Sequence, residues 1–283
     1  MPTQFRIPLG DWIESAVEWM NINWEPFFDA ISTAIRAFIE GLTALFTLAP
    51  ALALIAVLAF VAHYFKGWKF ALFTALSFLL VVSMDLWYQT MSTLSMVLTS
   101  SLIAIVIGVL LGIWSSSSKK VSSVIKPIMD FMQTMPAFVY LIPAIIFFGI
   151  GVVPGTIATV IFAMPPAVRL TELGLRSVDP EAVEAGEAFG ASPAKILWDV
   201  KLPLALPSIM SGVNQVIMLA LSMVVTAGIV GAGGLGSIVY QGVTRLDIGL
   251  GFEGGIAVVV LAIFLDRISQ SLGKKANKRI SHN

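Results

Sequence analysis

Few side chains in this sequence could do chemistry, and the densest group lies between residues 171 and 203. Asp179-Pro180-Glu181 has the form of a helix start, an aspartate cap followed by proline in the first turn. Glu181, Glu184 and Glu187 recur at three-residue intervals, an acidic strip near the positive end of that helix. Ala182, Ala185, Gly186 and Phe189 make a face of small residues around one aromatic, and Gly190 stands where glycine closes a helix. Ser192-Pro193 then opens a second short helix, read as running to about Val200 and stopping at Leu202-Pro203. The chemistry on offer is contact rather than bond-making. Such a hairpin suits insertion into a groove on another protein, or packing on its own bundle, and the residues alone leave both open.

Other reactive patterns fail on context. Gly231-x-Gly233-x-x-Gly236 matches a dinucleotide fingerprint in letters, but that fingerprint needs a strand before it and a helix after it in a βαβ unit. Here Gly231, Gly233, Gly234 and Gly236 follow a long apolar run, and the glycines are better read as a gate or bend in buried or cavity-lining backbone. No GxxxxGK[ST] occurs, so any ATP that drives this protein, with its magnesium, is expected on another polypeptide. His63 and His282 lack metal-ligand spacing, there is no cysteine, and no metal site or catalytic residue is expected. Asp85, Asp130 and Asp266 lie near the ends of apolar runs, where charge is tolerated, and do not suggest a proton relay. Phe131, Phe138, Tyr140, Phe147, Phe148 and Phe162 could line a path for a quaternary ammonium, each contact contributing about 0.5–2 kcal/mol. Of these Phe131, Phe138 and Tyr140, with Met135 and Met164, form the candidate path set; the alternative is packing or lipid-facing side chains.

The elements that must hold these residues are membrane helices. Of 283 residues 57% are hydrophobic and only 12% charged, against about 25% charged in a soluble domain. The apolar residues form runs of the roughly 20 needed to cross a bilayer as helix. They do not alternate, which excludes a barrel, and zero net charge gives no attraction to nucleic acid. No basic segment and apolar core suggest a cleavable leader. Residues 1–41 read as an amphipathic, interfacial segment, with Trp12, Ile13, Val17 and Met20 on one face and Asp11, Glu14 and Glu18 opposite. Spans are predicted at 42–63 and 69–88, an accessory pair within 42–89, then at 91–114, 204–230 and 249–266. Gly108 and Gly112 form a GxxxG pair, which lets another helix approach closely. Residues 136–168, broken by Pro143, Gly149, Gly151, Pro154 and Gly155, are one long helix or two with a turn near Gly151–Gly155.

Charge chooses between them. With two crossings there, seven spans in all, and the C-terminus inside, one side carries Lys66 and Lys69; Lys119, Lys120 and Lys126; Arg169, Arg176, Lys195 and Lys201; and Arg267 with the basic tail 271–283, read as frayed. Only Arg6, Arg36 and Arg245 face the other way, which obeys the positive-inside rule. The expected topology is N-terminus outside, C-terminus cytoplasmic.

Glu184-Ala185-Gly186-x3-Gly190-x9-Val200-Lys201-Leu202-Pro203 resembles the EAA motif of binding-protein-dependent ABC importer permeases: Glu-Ala-Ala, three residues, Gly, nine residues, Ile, any residue, Leu-Pro. Gly186 replaces the third-position alanine and Val200 the isoleucine. The resemblance covers about residues 90–270 and implies the methionine-permease-like, type I importer core, with 171–203 as its coupling loop. By it, Glu184, Ala185, Gly186, Glu187, Phe189, Gly190, Leu202 and Pro203 would meet a cytoplasmic ATPase subunit present in two copies. A second permease copy, in a homodimer, and an extracytoplasmic binding protein would complete the assembly in a prokaryotic cell membrane. Asp130-Phe-Met-Gln-Thr-Met-Pro-Ala-Phe-Val-Tyr-Leu-Ile-Pro143, Phe162-Ala-Met-Pro-Pro-Ala-Val-Arg169 and Gly231-Ala-Gly-Gly-Leu-Gly236 are similar to the glycine betaine/proline permease branch. In that branch the solute is a quaternary ammonium or proline-type compatible solute, selected by the binding protein; the alternatives are an ABC permease for choline, carnitine or an amino acid, and an ion-coupled secondary transporter, for which no coupling groups or inverted repeats are seen.

Overall fold

The structure, a computed structural model, describes residues 8–280, and these are almost wholly helical. The chain opens with α1 (Leu9–Asn23) and α2 (Glu25–Leu48), joined at Trp24, with Pro26 in the first turn of α2 where its missing N–H costs nothing. A short pair follows, α3 (Ala51–Lys66) and α4 (Trp68–Ser83), turning at Gly67. Then come α5 (Trp87–Ser117), α6 (Lys119–Thr134), α7 (Ala137–Phe148), α8 (Val152–Ala163), α9 (Pro165–Arg176), α10 (Pro180–Ala188), α11 (Pro193–Lys195), α12 (Leu202–Ala227), α13 (Gly234–Arg245) and α14 (Ile248–Ile280).

Among the described residues five stretches are long and apolar enough to cross a membrane: α2, α5, α8 with α9, α11 through Val230, and α14 to Gly273. α6 and α7 make a sixth only as a pair bent by 99°. The seven expected spans are therefore not reproduced, and two local causes account for it. Pro50 breaks the predicted span 42–63, giving its first part to α2 and its remainder to the 16-residue α3. α2 thereby runs through the expected boundary at residue 41 and is itself apolar enough to span. In 136–168 the reversal falls at Gly149–Gly151, slightly before the expected place, leaving α7 only about 18 Å long while α8 and α9 continue almost unbroken. The frayed tail is also corrected in part: α14 stays helical through Ile280, and residues 281–283 lie outside the described residues, as do 1–7 of the N-terminal segment.

The core sits where α5, α8, α9, α12 and α14 meet, around Met91, Val97, Val153, Val216, Met223, Val224 and Leu261. α5 buries many hydroxyls there. Thr90, Ser95, Thr99 and Ser100 each donate to the carbonyl four residues back, which satisfies these hydroxyls inside an apolar setting; Ser101 Oγ, on the same helix, is buried without a hydrogen-bond partner. The GxxxG question is answered within the chain. A Cβ added at Gly108 would lie 2.6 Å from Ala167 Cβ, and one at Gly112 2.7 Å from the Val168 carbonyl, so both glycines admit α9. On the other side of α9, Gly212 of α12 faces Pro166 and Leu170, Gly174 faces Ser208, and Ser208 Oγ donates to the Leu170 carbonyl at 2.8 Å. α9 is thus keyed into both α5 and α12.

α1 and α2 attach more lightly. Phe28 of α2 stacks on Phe147 at 4.5 Å and meets Phe148 edge-on, and much of the rest of α2 is exposed apolar surface. That is acceptable if lipid is the solvent.

Candidate coupling site

The hairpin beyond α9 is built by local rules. Asp179 accepts from the Glu181 N–H at 3.0 Å and starts α10, and Ser192 accepts from the Lys195 N–H to start α11. Between them Gly190 has φ +77°, its N–H donating to the Glu187 carbonyl at 2.8 Å and the Ala191 N–H to the Gly186 carbonyl at 3.1 Å. This pair of bonds is a Schellman closure, and the left-handed residue it needs is cheap only as glycine.

The second arm departs from expectation. It does not stop at Leu202-Pro203 but runs from α11 through a wide π turn, Ile196–Lys201, straight into α12. Pro203 has no N–H to give, and the widened turn, with the Leu202 N–H on the Leu197 carbonyl, makes room for its ring without ending the helix. Leu202 and Pro203 are half-buried at this joint.

The residues singled out by sequence separate into two faces. Gly186 turns inward, where an added Cβ would sit 3.6 Å from Ile196 and 3.7 Å from Val200, so it sets how closely the two arms lie. Glu184, Ala185, Glu187 and Gly190 are exposed. Glu184 and Glu187 also border a cleft of about 780 Å³ between the hairpin, the end of α5 and Arg176. Phe189 is 92% exposed at the tip, and Trp198 on the second arm is also bare. A capped turn thus holds a large aromatic out in solvent, where its own chain does not cover it.

Below the hairpin lies a residue that sequence reasoning passed over. Glu172 is buried, accepts from Ser115 and Ser122 at 2.7 Å each, and pairs with Arg176 at 3.0 Å and Lys126 at 3.4 Å. Arg176 also donates to the Ser115 carbonyl at 2.9 Å. One signal was available: Glu172 and Arg176 stand four apart, the spacing of a helical ion pair.

The candidate path residues are not brought together as one set. Phe131, Met135 and Tyr140 share a groove of about 750 Å³ with Ile13, Glu14 and Glu18 of α1. Tyr140 is buried and donates to the Met132 carbonyl. Phe138 is exposed away from that groove, and Met164 packs against Gly108. The glycines of 231–236 lie where the backbone turns. Gly231, Gly233 and Gly234 take positive φ, while Gly236 lies against the backbone of Val225, so that α13 folds back on the end of α12. Thr93 of α5 pins the bend by accepting the Leu235 N–H at 2.8 Å. No cluster of potential metal ligands occurs among the described residues.

Comparison with known proteins agrees with this architecture. The family described as binding-protein-dependent transport system inner membrane component matches residues 104–280. The glycine betaine/carnitine transport permease protein GbuB of Listeria monocytogenes is 50% identical over 98% of this chain and 99% of its own. The glycine betaine transport system permease protein OpuAB of Bacillus subtilis is 49% identical over 97% of each. The glycine betaine/proline betaine permease protein ProW of Escherichia coli is 44% identical, over 96% of this chain and 77% of its own. Among solved structures, an inward-facing MetNI methionine ABC transporter chain superposes with a TM-score of 0.60 at 23% identity, over 65% of this chain and 92% of that one, which supports the fold. With that family covering more than half of the sequence and near-identical lengths shared with its permeases, the chain belongs to the binding-protein-dependent transport system inner membrane components, a family of multi-pass membrane permeases.

Proposed function

We propose that this chain is the permease of an ATP-driven importer for glycine betaine or a related quaternary ammonium or proline-type solute. The substrate class rests on relatives, matched over nearly all of this chain, whose names carry glycine betaine. The mechanism rests on the hairpin, whose tip aromatic, Phe189, stands almost wholly in solvent on a capped and therefore stiff turn. In this reading the hairpin is cytoplasmic, as the clustering of basic residues favours. It docks in a cleft of a separate ATPase subunit, which binds ATP and magnesium.

Two permease copies and two ATPase subunits work as a pair. Closure of the ATPases on ATP draws the two hairpins together. Because α9 is keyed into α5 and α12 by Gly108, Gly112, Gly174 and Gly212, the pull is transmitted as a rigid displacement of the bundle. The path between the copies then opens outward to a docked binding protein, and hydrolysis resets it. α1 serves as a membrane-surface segment, α2, α3 and α4 as accessory helices, residues 90–270 as the transport core and 271–283 as a cytoplasmic tail.

The test is reconstitution with the cognate ATPase and binding protein in proteoliposomes, scoring ATP-dependent uptake of betaine, proline betaine, carnitine and choline. Betaine uptake that requires both partners is the expected result. Carnitine transport in preference to betaine would move the assignment within the class, to the second solute in one relative's name. Uptake without the ATPase would refute the mechanism.

A further inference from the structure

α9 is joined to its neighbours in two different ways. Toward α5 and α12 the joint is steric, glycine against backbone. Toward α6 it is largely polar. α6 follows α5 after Ser118, packs on it through Leu111, and at its other end bends 99° into α7. A small apolar cluster of Ile125, Met129 and Val168 helps hold it. The rest of the attachment is two polar clasps one helical turn apart on α9. Arg169 pairs with Asp130 and donates to Gln133 at the exposed clasp. Glu172, 3% exposed, makes the buried one.

Both oxygens of Glu172 are occupied. One takes the Ser115 hydroxyl from the end of α5; the other takes Ser122 of α6 and the charges of Lys126 and Arg176. The residue therefore ties three helices together at the point where α9 leaves for the hairpin. A buried carboxylate adds little net stability, since desolvation offsets most of the pairing. What it adds is direction: apolar contacts can slide, whereas a carboxylate held by Ser115, Ser122 and Arg176, on three helices, cannot without losing bonds.

We propose that Glu172 is a positioning residue for coupling, the clasp that makes α6, and through the Met135-Pro136 bend α7, follow the hairpin when α9 moves. The proposal rests on the hairpin being the ATPase-docking element. It separates two quantities that a purely structural residue would change together: docking and ATP hydrolysis do not need the clasp, while solute movement does.

The experiment measures uptake and ATP hydrolysis in the same proteoliposomes, containing permease, ATPase and binding protein, for Glu172→Gln and for Ser115→Ala and Ser122→Ala. The permease–ATPase complex should purify as usual with each variant. Solute moved per ATP should fall roughly tenfold for Glu172→Gln and by a smaller factor for each serine variant, in the range seen for residues that carry coupling. If Glu172→Gln lowers the yield of complex, the serine variants, each losing one hydroxyl, read the same ratio. An unchanged ratio in all three overturns the proposal, whether or not total uptake declines. A wild-type permease that fails to bind the ATPase would instead refute the docking reading on which the clasp depends.

Discussion

Replacing Gly190 with aspartate tests the hairpin at its most constrained point. The residue sits at φ +77° and closes α10 through the Glu187 and Gly186 carbonyls. Any Cβ there costs about 1–2 kcal/mol in the left-handed region. Nothing lies within 4 Å of that Cβ, so no clash spreads to the bundle, and insertion and folding of the permease should be unaffected. If the tip is enclosed by a partner, the new carboxylate must also be desolvated unpaired, at several kcal/mol. The unpaired charge, at about 3 kcal/mol, weakens docking on the order of a hundredfold, while the backbone strain is present before docking and acts by loosening the hairpin. Gly190→Asn separates them, because asparagine tolerates the left-handed conformation and carries no charge. The assay is affinity of purified permease for its ATPase, with uptake alongside. The expected order is wild type, then Asn, then Asp. An aspartate variant that docks and transports normally would refute the reasoning.

Three further substitutions follow from the same geometry. Phe189→Ala should leave the thermal midpoint of the isolated permease unchanged, since the ring touches little of its own chain, yet weaken ATPase binding by about thirtyfold, as loss of an interface anchor of about 2 kcal/mol would. Gly186→Ala, which restores the third alanine of the motif, meets only ordinary contacts at 3.6 and 3.7 Å; uptake should be kept and the hairpin stiffened by up to about 1 kcal/mol, read as slower amide exchange in α10. Gly112→Ala drives a methyl to 2.6 Å from Thr171 and 2.7 Å from the Val168 carbonyl, and should lower the midpoint of the detergent-solubilised permease by an overpacking cost of about 1–3 kcal/mol.

What was legible in the sequence was what is local. The Asp179-Pro180 cap, the Gly190 closure and the Ser192 start each depend on bonds spanning only a few residues, and each stands where the residue types put it. Membrane residence was legible because it needs only composition and run length. The reversal inside 136–168 was legible to within a few residues from charge and glycine.

What was not legible depends on partners far along the chain. Glu172 draws its meaning from Ser115 and Ser122, 57 and 50 residues away. Gly108 and Gly112 announced close approach but not that α9 was the helix approaching. The aromatic path set was assembled by residue type alone, and the fold divides it between a groove, an exposed surface and a packed joint. Leu202-Pro203 reads as a stop because proline usually ends an α-helix; the π turn before it let the helix continue, an adjustment the letters do not encode.

The central claim is that the tip of this hairpin meshes with a separate cytoplasmic ATPase. The most direct measurement puts a photoreactive phenylalanine analogue in place of Phe189 in the assembled transporter and identifies the cross-linked product by mass spectrometry. The account predicts a covalent adduct to the ATPase subunit whose yield changes with bound nucleotide. An adduct to the extracytoplasmic binding protein, or none to the ATPase while the complex still transports, would contradict it.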